Sequence, residues 1–174
     1  MKKLIKELIP YVVILVIVVL FRTYIATPVI VRGDSMLPNL KDKEMLILSK
    51  ITYRLSSIKR FDVVVLDESK IDSSDKLIIK RIIGLPGDYI EYKDDILYIN
   101  GKEVKENYDR DVTDDFKLEN ICACSKIPKD KYLVLGDNRS ISKDSRYIGL
   151  IDKKYIKGKA IFRLFPLNKM SKVK

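Results

Sequence analysis

A serine lies in a short segment whose residue types suit a mounted nucleophile. Ser35 lies between Gly33 and Pro38 in the run Gly-Asp-Ser-Met-Leu-Pro. Glycine permits unusual backbone angles and proline restricts the chain, so this run predicts a stiff turn that presents a hydroxyl beside backbone N–H groups. An ordinary turn or cap, in which the hydroxyl bonds to the local backbone, is the competing interpretation.

A lysine lies within an apolar run that is typical of a β-strand, residues 77–83. Because side chains alternate between strand faces, Lys80 shares a face with Ile78 and Ile82. Burial there would disfavour the ammonium and lower the lysine pKa, which suits a general base. Periodicity does not choose between Lys80 and Arg81, but arginine does not give up its proton in practice. A solvated lysine on an edge strand is the alternative.

A polar loop, residues 136–146, follows the predicted strand 131–135 and reads Gly-Asp-Asn-Arg-Ser-Ile-Ser-Lys-Asp-Ser-Arg. Its density of hydrogen-bonding groups suits a loop that supports a reactive site from behind. A solvated surface loop is the alternative.

The composition narrows the possible chemistry. The chain has 174 residues, of which 47% are hydrophobic, and it has two cysteines and no histidine. The missing histidine excludes Ser-His-Asp and Cys-His machinery, and two cysteines alone cannot supply four zinc ligands. A general base must therefore be Lys, Asp, Glu, Tyr or a chain terminus. We expect neither a metal nor a cofactor.

The net charge of +10 indicates an anionic partner or a solvated basic face. The sequence shows no helix-turn-helix, zinc-finger or aromatic RNA-binding signature, so we predict no nucleic-acid binding. A membrane surface is the favoured partner. The downstream basic cluster consists of Lys153, Lys154, Lys157 and Lys159.

The two cysteines, Cys122 and Cys124, are separated by one residue. In an extended segment their Cα positions and Cβ directions fit a disulfide badly. We therefore predict free thiols or pairing with another molecule.

Residues 8–21 carry no charge and are rich in valine and isoleucine. At ~1.5 Å per residue this run is shorter than the ~30 Å bilayer core, but it extends through residue 26 if Arg22 snorkels to the interface. We predict a transmembrane anchor over residues 8–26, with a cleaved signal peptide or a buried core helix as alternatives. Lysines at positions 2, 3 and 6 precede it, so the positive-inside rule places residues 1–7 in the cytoplasm and residues 27–174 outside.

Short runs rich in Val, Ile, Tyr and Phe, separated by turns, follow the apolar segment. Asn100-Gly101 and the segment 93–95 predict hairpin turns, and residues 85–88 predict another turn. Residues 108–129 are polar and read as an excursion from the sheet. The predicted fold is a mainly β, antiparallel, hairpin-rich and partly closed barrel-like domain with one N-terminal transmembrane helix. The predicted strands are residues 44–48, 61–66, 77–83, 89–92, 96–99, 102–105, 131–135 and 159–165.

Considered together, these segments resemble the bacterial type I signal peptidases, a family with a Ser-Lys dyad. The resemblance rests on Ser-Met-x-Pro at 35–38, Lys-Arg-x-x-Gly-x-Pro-Gly-Asp at 80–88 and the polar loop, in this order after an apolar segment. It implies that Ser35 is the nucleophile, that Lys80 is the general base and that Ser142 orients the lysine amine through a hydrogen bond. It also implies that Asp144 and Arg146 form a structural pair.

The resemblance further implies that Asp137 and Arg139 support this region. Residues 61–65 match the strand that borders the substrate groove in the family. Some members carry a serine two residues before the nucleophile that helps to bind the oxyanion, and here Gly33 takes that place. The groove residues implied in this way are Met36, Asp62, Val63, Val64 and Ile79.

The implied function is that of a single-pass cell-membrane serine endopeptidase, monomeric and free of cofactors. Its implied substrates are secreted preproteins, whose signal peptides it removes after small residues at −3 and −1. A self-cleaving Ser-Lys regulator is one alternative, although such proteins carry a DNA-binding or partner domain where this chain has an apolar segment. An inactive membrane-anchored module that binds peptides is the other.

Overall fold

The computed structural model describes residues 2–67 and 77–173, beginning with one long helix, α1 (Lys2–Tyr24). Its segment Glu7–Tyr24 is apolar and long enough to cross a membrane, and none of these described residues is buried against the rest of the chain. Of the tail predicted over residues 1–7, Met1 lies outside the described residues and the remainder continues the helix. The helix ends before the predicted boundary at residue 26, because Ala26 already pairs in a strand.

The chain downstream of α1 is mainly β. Downstream of α1 the described residues contain two one-turn helices, α2 (Thr52–Leu55) and α3 (Ser145–Ile148), with 3-10 turns at Leu118–Asn120, Lys153–Tyr155 and Leu167–Lys169. The strands are β1 (Ala26–Ile30), β2 (Met45–Ser49), β3 (Val63–Asp67), β4 (Leu77–Gly84), β5 (Ile90–Lys93), β6 (Ile96–Ile99), β7 (Lys102–Glu103), β8 (Phe116–Lys117), β9 (Lys131–Leu135), β10 (Ile151–Asp152), β11 (Ile156–Phe165) and β12 (Ser171–Lys172).

The strands form two antiparallel sheets. The larger has the order β1-β2-β11-β3-β4-β9-β10, with β12 also paired to β11, and the smaller has the order β7-β6-β5-β8. The mainly β, antiparallel prediction is confirmed, and each of the eight predicted strands occurs with small shifts of its ends. Within the described residues the two end strands of the larger sheet, β1 and β10, do not pair with each other. The sheet is therefore not closed into a barrel.

The hairpin turns of the smaller sheet follow from the sequence. Asn100 and Gly101 both have positive φ, 52° and 77°, as a two-residue turn with the correct twist requires. Asp94 and Asp95 have φ of 50° and 63° and close the preceding hairpin in the same way. Short polar side chains tolerate this region better than bulky ones, which explains why aspartates suffice there.

The central strands are buried on both faces. On β3, Val63 and Val65 pack in one apolar cluster, and Val64 and Leu66 pack in another. A strand that is buried on both faces has a continuous run of apolar residues. Strand β4 pairs with β3, so β3 covers one edge of β4. A polar group on β4 is therefore held away from water.

The excursion after β7 contains the cysteine pair, and here the sequence-based prediction is wrong. Cys122 and Cys124 are joined by a disulfide, with Cα atoms 5.2 Å apart. This separation is within the ordinary range for disulfides. The prediction assumed extended backbone, but the segment turns tightly, and the Cys124 N–H donates to the Cys122 carbonyl at 2.7 Å.

Candidate active site

The hydroxyl of Ser35 lies within hydrogen-bond distance of the amine of Lys80, on strand β4 of the larger sheet. Lys80 Nζ lies 2.8 Å from Ser35 Oγ, although the residues are 45 positions apart. Lys80 is only 3% exposed, and Ser35 is half-buried. A buried amine within hydrogen-bond distance of a partly accessible hydroxyl can deprotonate it when the amine is neutral.

Strand β4 positions Lys80 through its register with β3. Lys80 stands opposite Val64, and Val64 is fully buried. Ile82, two residues along β4 and on the same face, belongs to the same apolar cluster as Val64. This is the isoleucine environment expected from the alternation of the strand, and it places the amine at a dry position.

The serine turn, residues 33–40, is closed by its own backbone and by its neighbours. The Leu37 N–H donates to the Asp34 carbonyl at 3.1 Å, and the Leu40 N–H donates to the Met36 carbonyl at 2.8 Å. Gly33 has a φ of 78°, which L-residues rarely adopt, and its N–H donates to Asp42 Oδ1 at 2.8 Å. The backbone of a serine at position 33 would be strained. This conformation therefore favours glycine at the position where some family members carry a serine.

The polar loop holds the serine turn from behind. The Asn138 N–H donates to the Ser35 carbonyl at 3.1 Å, and Asn138 Nδ2 donates to the Asp34 carbonyl, also at 3.1 Å. Gly136 allows this approach, because a Cβ there would lie 2.5 Å from the Ser35 carbonyl oxygen. The position of the hydroxyl thus depends on a segment 100 residues downstream in the chain.

Ser142 lies beside Gly136, where the polar loop contacts the serine turn, but it makes no hydrogen bond to Lys80. It is 2% exposed, and a Cβ on Gly136 would meet its Oγ at 2.2 Å. Within the described part of the chain this Oγ has no hydrogen-bond partner. A buried hydroxyl left without a partner is costly, and the role of Ser142 in orienting the amine stays a prediction.

Asp144 and Arg146 form an ion pair within the loop. Arg146 Nε donates to Asp144 Oδ1 at 2.9 Å, and Arg146 Nη2 also reaches the Arg139 carbonyl at 2.6 Å. Asp144 is fully buried, and its Oδ2 accepts the Gly136 N–H at 3.0 Å. The pair therefore fixes the glycine that touches the serine turn.

Asp137 anchors the loop to β4 through Arg81, a residue to which the sequence reasoning gave no role. Arg81 Nε and Nη2 donate to the two carboxylate oxygens at 2.8 and 2.6 Å, and both side chains are essentially buried. Asn39 Nδ2, in the serine turn, donates to the same carboxylate at 2.8 Å. Arg81 also lies 3.9 Å from the ring centre of Tyr108. The signal in the sequence was an arginine placed directly beside the lysine inside an apolar run.

Arg139 joins the loop to the smaller sheet. Its Nε donates to the Gly136 carbonyl at 2.9 Å, and its Nη2 donates to Glu106 Oε1 at 2.8 Å and to the Tyr108 hydroxyl at 3.0 Å. Burial alone would raise the pKa of Glu106, but the charge of Arg139 and its hydrogen bond outweigh this, so the pKa lies below its usual range. Tyr108 begins the excursion and Glu106 lies just before it, in a part of the chain to which sequence reasoning gave no role in the site.

The groove beside the dyad runs between β1 and the first half of β4. It encloses about 390 Å³ and is lined by Pro28, Val29, Ile30, Arg32, Val65, Leu77 and Ile79. Of the five predicted groove residues, Ile79 lines it. Met36 and Val63 are buried in the cluster that contains Ile79, Val64 packs in another cluster, and Asp62 forms an ion pair with Lys159.

Comparison with known proteins identifies the family. Residues 3–165 match the family described as Signal peptidase, peptidase S26. The chain is 38% identical to a signal peptidase I of Bacillus caldolyticus over 171 residues, which cover 93% of this chain and 92% of that protein. It is 40% identical to signal peptidase IB of Staphylococcus aureus over an alignment of 180 positions. The alignment covers 96% of this chain and 92% of that protein.

A solved structure is similar as well. The crystal structure of a signal peptidase I from Enterococcus faecalis V583 superimposes with a TM-score of 0.52 at 35% sequence identity. The match covers 60% of this chain and 97% of that one. Sequence, fold and the serine-containing site lead to the same assignment: this chain belongs to the signal peptidase family, peptidase S26, and is a serine endopeptidase.

Proposed function

We propose that this protein is a membrane-anchored signal peptidase in which Ser35 attacks the scissile peptide bond and Lys80 is the general base. The observation that carries the proposal is the 2.8 Å separation of Ser35 Oγ from a lysine amine that is only 3% exposed. Burial disfavours a charged ammonium, which supports a lysine that is neutral often enough to accept a proton.

The catalytic steps follow from this pair. Neutral Lys80 Nζ takes the proton of Ser35 Oγ as the oxygen bonds to the carbonyl carbon of the substrate. The resulting ammonium returns a proton to the leaving amine as the peptide C–N bond breaks, which releases the mature protein and leaves an ester on Ser35. Water then attacks the ester while Lys80 accepts its proton, and that proton returns to Ser35 Oγ as the signal peptide leaves.

The backbone N–H of Ser35 is a suitable donor for the oxyanion of the intermediate. Within residues 2–67 and 77–173 no hydrogen bond uses this N–H. The turn is held rigid by the contacts of Asn138 and Asn39, so the N–H need not reorganise when charge develops.

The substrate would add to the groove as an extended strand. The pairing of β4 with β9 begins at Arg81, so the half of β4 from Leu77 to Lys80 pairs with β3 on one side and, among the described strands, with none on the other. β1 is likewise an edge strand that pairs with β2 alone. An extended peptide could therefore hydrogen-bond to backbone on both sides of the groove. Its −3 and −1 side chains would face apolar walls with room for small residues.

The apolar helix would anchor the enzyme in the cell membrane, with its N-terminus in the cytoplasm and the β-rich domain on the outer side. Lysines 2, 3 and 6 support this orientation. At the other end, Arg22 and Tyr24 are residue types suited to a membrane interface. Secreted preproteins emerge on that side, within reach of Ser35.

The proposal is tested with the purified full chain and a preprotein that carries an Ala-x-Ala cleavage site. We expect one cut after the second alanine, no cut with Ser35→Ala or Lys80→Ala, and a rate that rises with pH because Lys80 must be neutral. Ser57→Ala and Lys102→Ala, at exposed positions, are matched controls that should retain full activity. Near-normal cleavage by either dyad variant, with wild-type thermal unfolding, would overturn the assignment.

A further inference from the structure

A basic pocket of about 390 Å³ lies outside the substrate groove. Lys50, Arg54, Lys153 and Lys157 supply its positive charge, and Tyr53, Ile58 and Ile156 complete its wall. The four cations come from two distant stretches of the chain, residues 50–54 and 153–157. The second stretch contains three of the four lysines of the downstream basic cluster, none of which belongs to the proposed proteolytic site.

The basic pocket is tied to the end of α1. Lys50 Nζ donates to the carbonyls of Arg22 and Thr23 at 3.1 and 3.3 Å, and the Lys50 N–H donates to the Ile25 carbonyl at 2.9 Å. The guanidinium of Arg54 lies 5.7 Å from the ring centre of Tyr24. The pocket therefore lies where the chain leaves the apolar helix.

Two carboxylates near this pocket are already paired with lysines. Asp67 pairs with Lys157 at 2.6 Å, and Asp152 pairs with Lys131 at 3.0 Å. Among the described residues, by contrast, no salt bridge involves Lys50, Arg54 or Lys153, and Arg54 and Lys153 are exposed. Their charge is available to an external anion.

An apolar side chain accompanies this charge. Leu55, next to Arg54 on α2, is 79% exposed. Cations together with an exposed leucine are the combination by which proteins contact the boundary between lipid head groups and acyl chains.

We propose that the basic pocket binds the phosphodiester head group of an anionic phospholipid, with Leu55 against its acyl chains. The inference rests on the membrane anchoring proposed above, because α1 then holds the pocket at the level of the head groups. Arg54 and Lys153 would contact the phosphate, and Lys50 would link the bound lipid to the end of the helix. The site would fix the height and tilt of the domain above the bilayer.

The test uses the full chain in dodecyl maltoside micelles titrated with dihexanoyl phosphatidylglycerol. Binding to the folded state raises the unfolding temperature, and its concentration dependence gives the dissociation constant. The double variant Arg54→Gln/Lys153→Gln should bind roughly 10- to 30-fold more weakly, the factor expected for two interfacial cations. Lys102→Gln/Lys105→Gln, which removes two exposed lysines near the smaller sheet, should bind like the wild type.

Two further titrations identify the ligand. Dihexanoyl phosphatidylcholine and inorganic phosphate should each give a smaller shift than phosphatidylglycerol. An equal shift with phosphatidylcholine would show that apolar contact alone suffices, and an equal shift with inorganic phosphate would show a site for free anions; either result overturns the proposal. Equal weakening in both double variants would also overturn it, because the effect would then be one of net charge.

Failure of this inference can be distinguished from failure of the proposed function. Lipid binding is read from thermal unfolding and does not depend on cleavage. Anchoring is read separately, from whether the chain stays in the membrane pellet after carbonate extraction. If the chain stays in the pellet and cleaves its substrate but shows no selective lipid binding, the head-group site is refuted and the proposed function stands.

Discussion

The two sheets contribute to the site in different ways. The larger sheet carries Lys80, the proposed base, on β4 and borders the groove, whereas the smaller sheet carries neither member of the proposed dyad. Yet the smaller sheet and the segment that follows β7 provide Tyr92, Glu106 and Tyr108, which hold Arg139 and through it the polar loop. The lysine is placed by strand register, and the serine is placed by a loop that the other sheet supports.

This difference predicts where the enzyme is sensitive. Changes at the junction of the two regions should damage both stability and activity, because a buried charge loses its partner and the serine turn loses its support. Changes deep in the smaller sheet should act on stability first.

Replacing Arg81 should have the largest effect. Arg81→Met leaves the buried Asp137 carboxylate without its paired guanidinium, and removing one partner of a buried pair costs about 3–5 kcal/mol. Urea unfolding measures the loss, and cleavage should fall with it. Arg60→Met is the matched control, since its pair with Asp88 is partly exposed and should contribute about 1 kcal/mol. If Arg81→Met lowers the free energy of unfolding by less than Arg60→Met does, the Arg81–Asp137 pair does not anchor the polar loop to β4.

Gly136→Ala should damage activity more than stability. The new Cβ would lie 2.2 Å from Ser142 Oγ and 2.5 Å from the Ser35 carbonyl, so the serine turn must shift. A displacement of about 1 Å at a reacting group can cost on the order of 100-fold in rate. The measurement is kcat on a preprotein substrate. Gly101→Ala, strained by its φ of 77° but distant from the site, should lower stability by roughly 1 kcal/mol and leave kcat unchanged.

Glu106 should make the fold sensitive to acid. Its folded-state pKa is held below the ordinary value of 4.5, mainly by Arg139 acting against burial. Ionised Glu106 therefore contributes stability that is present above its ordinary pKa and lost as pH falls through the lowered folded pKa. Glu106→Gln should cost about 1.5–3 kcal/mol at pH 7. The difference from wild type, measured by urea unfolding, should shrink below pH 4.5; a constant difference down to pH 2 would contradict this account.

Removing the disulfide should have the smallest effect. Cys122 and Cys124 close a loop of one intervening residue at the edge of the cluster beneath the smaller sheet. So short a loop restricts the unfolded chain little, roughly 1.5 kcal/mol by chain entropy. The double variant Cys122→Ser/Cys124→Ser should cleave within twofold of the wild-type rate. A tenfold loss of kcat would show that the excursion positions the serine more directly than its contacts indicate.

Local patterns carried much of the prediction. Strand alternation in residues 77–83, the Asn-Gly turn and the uncharged run after Glu7 are short-range properties, and each corresponds to an observed element. The cysteine prediction was wrong for a local reason. It assumed extended backbone, whereas the segment turns tightly and the Cys124 N–H donates to the Cys122 carbonyl.

The sequence by itself limited which groups could react, because a chain without histidine leaves Lys, Asp, Glu, Tyr or a terminus as the base, and one lysine lies in an apolar strand. Tertiary structure alone decided that Ser35 and Lys80 meet, that Arg81 faces Asp137 and that Glu106 supports the polar loop. These are contacts between residues 33 to 56 positions apart, made through hydrogen bonds. The alternation of side chains along a strand shows which residues share a face. It does not show which distant segment of the chain packs against that face.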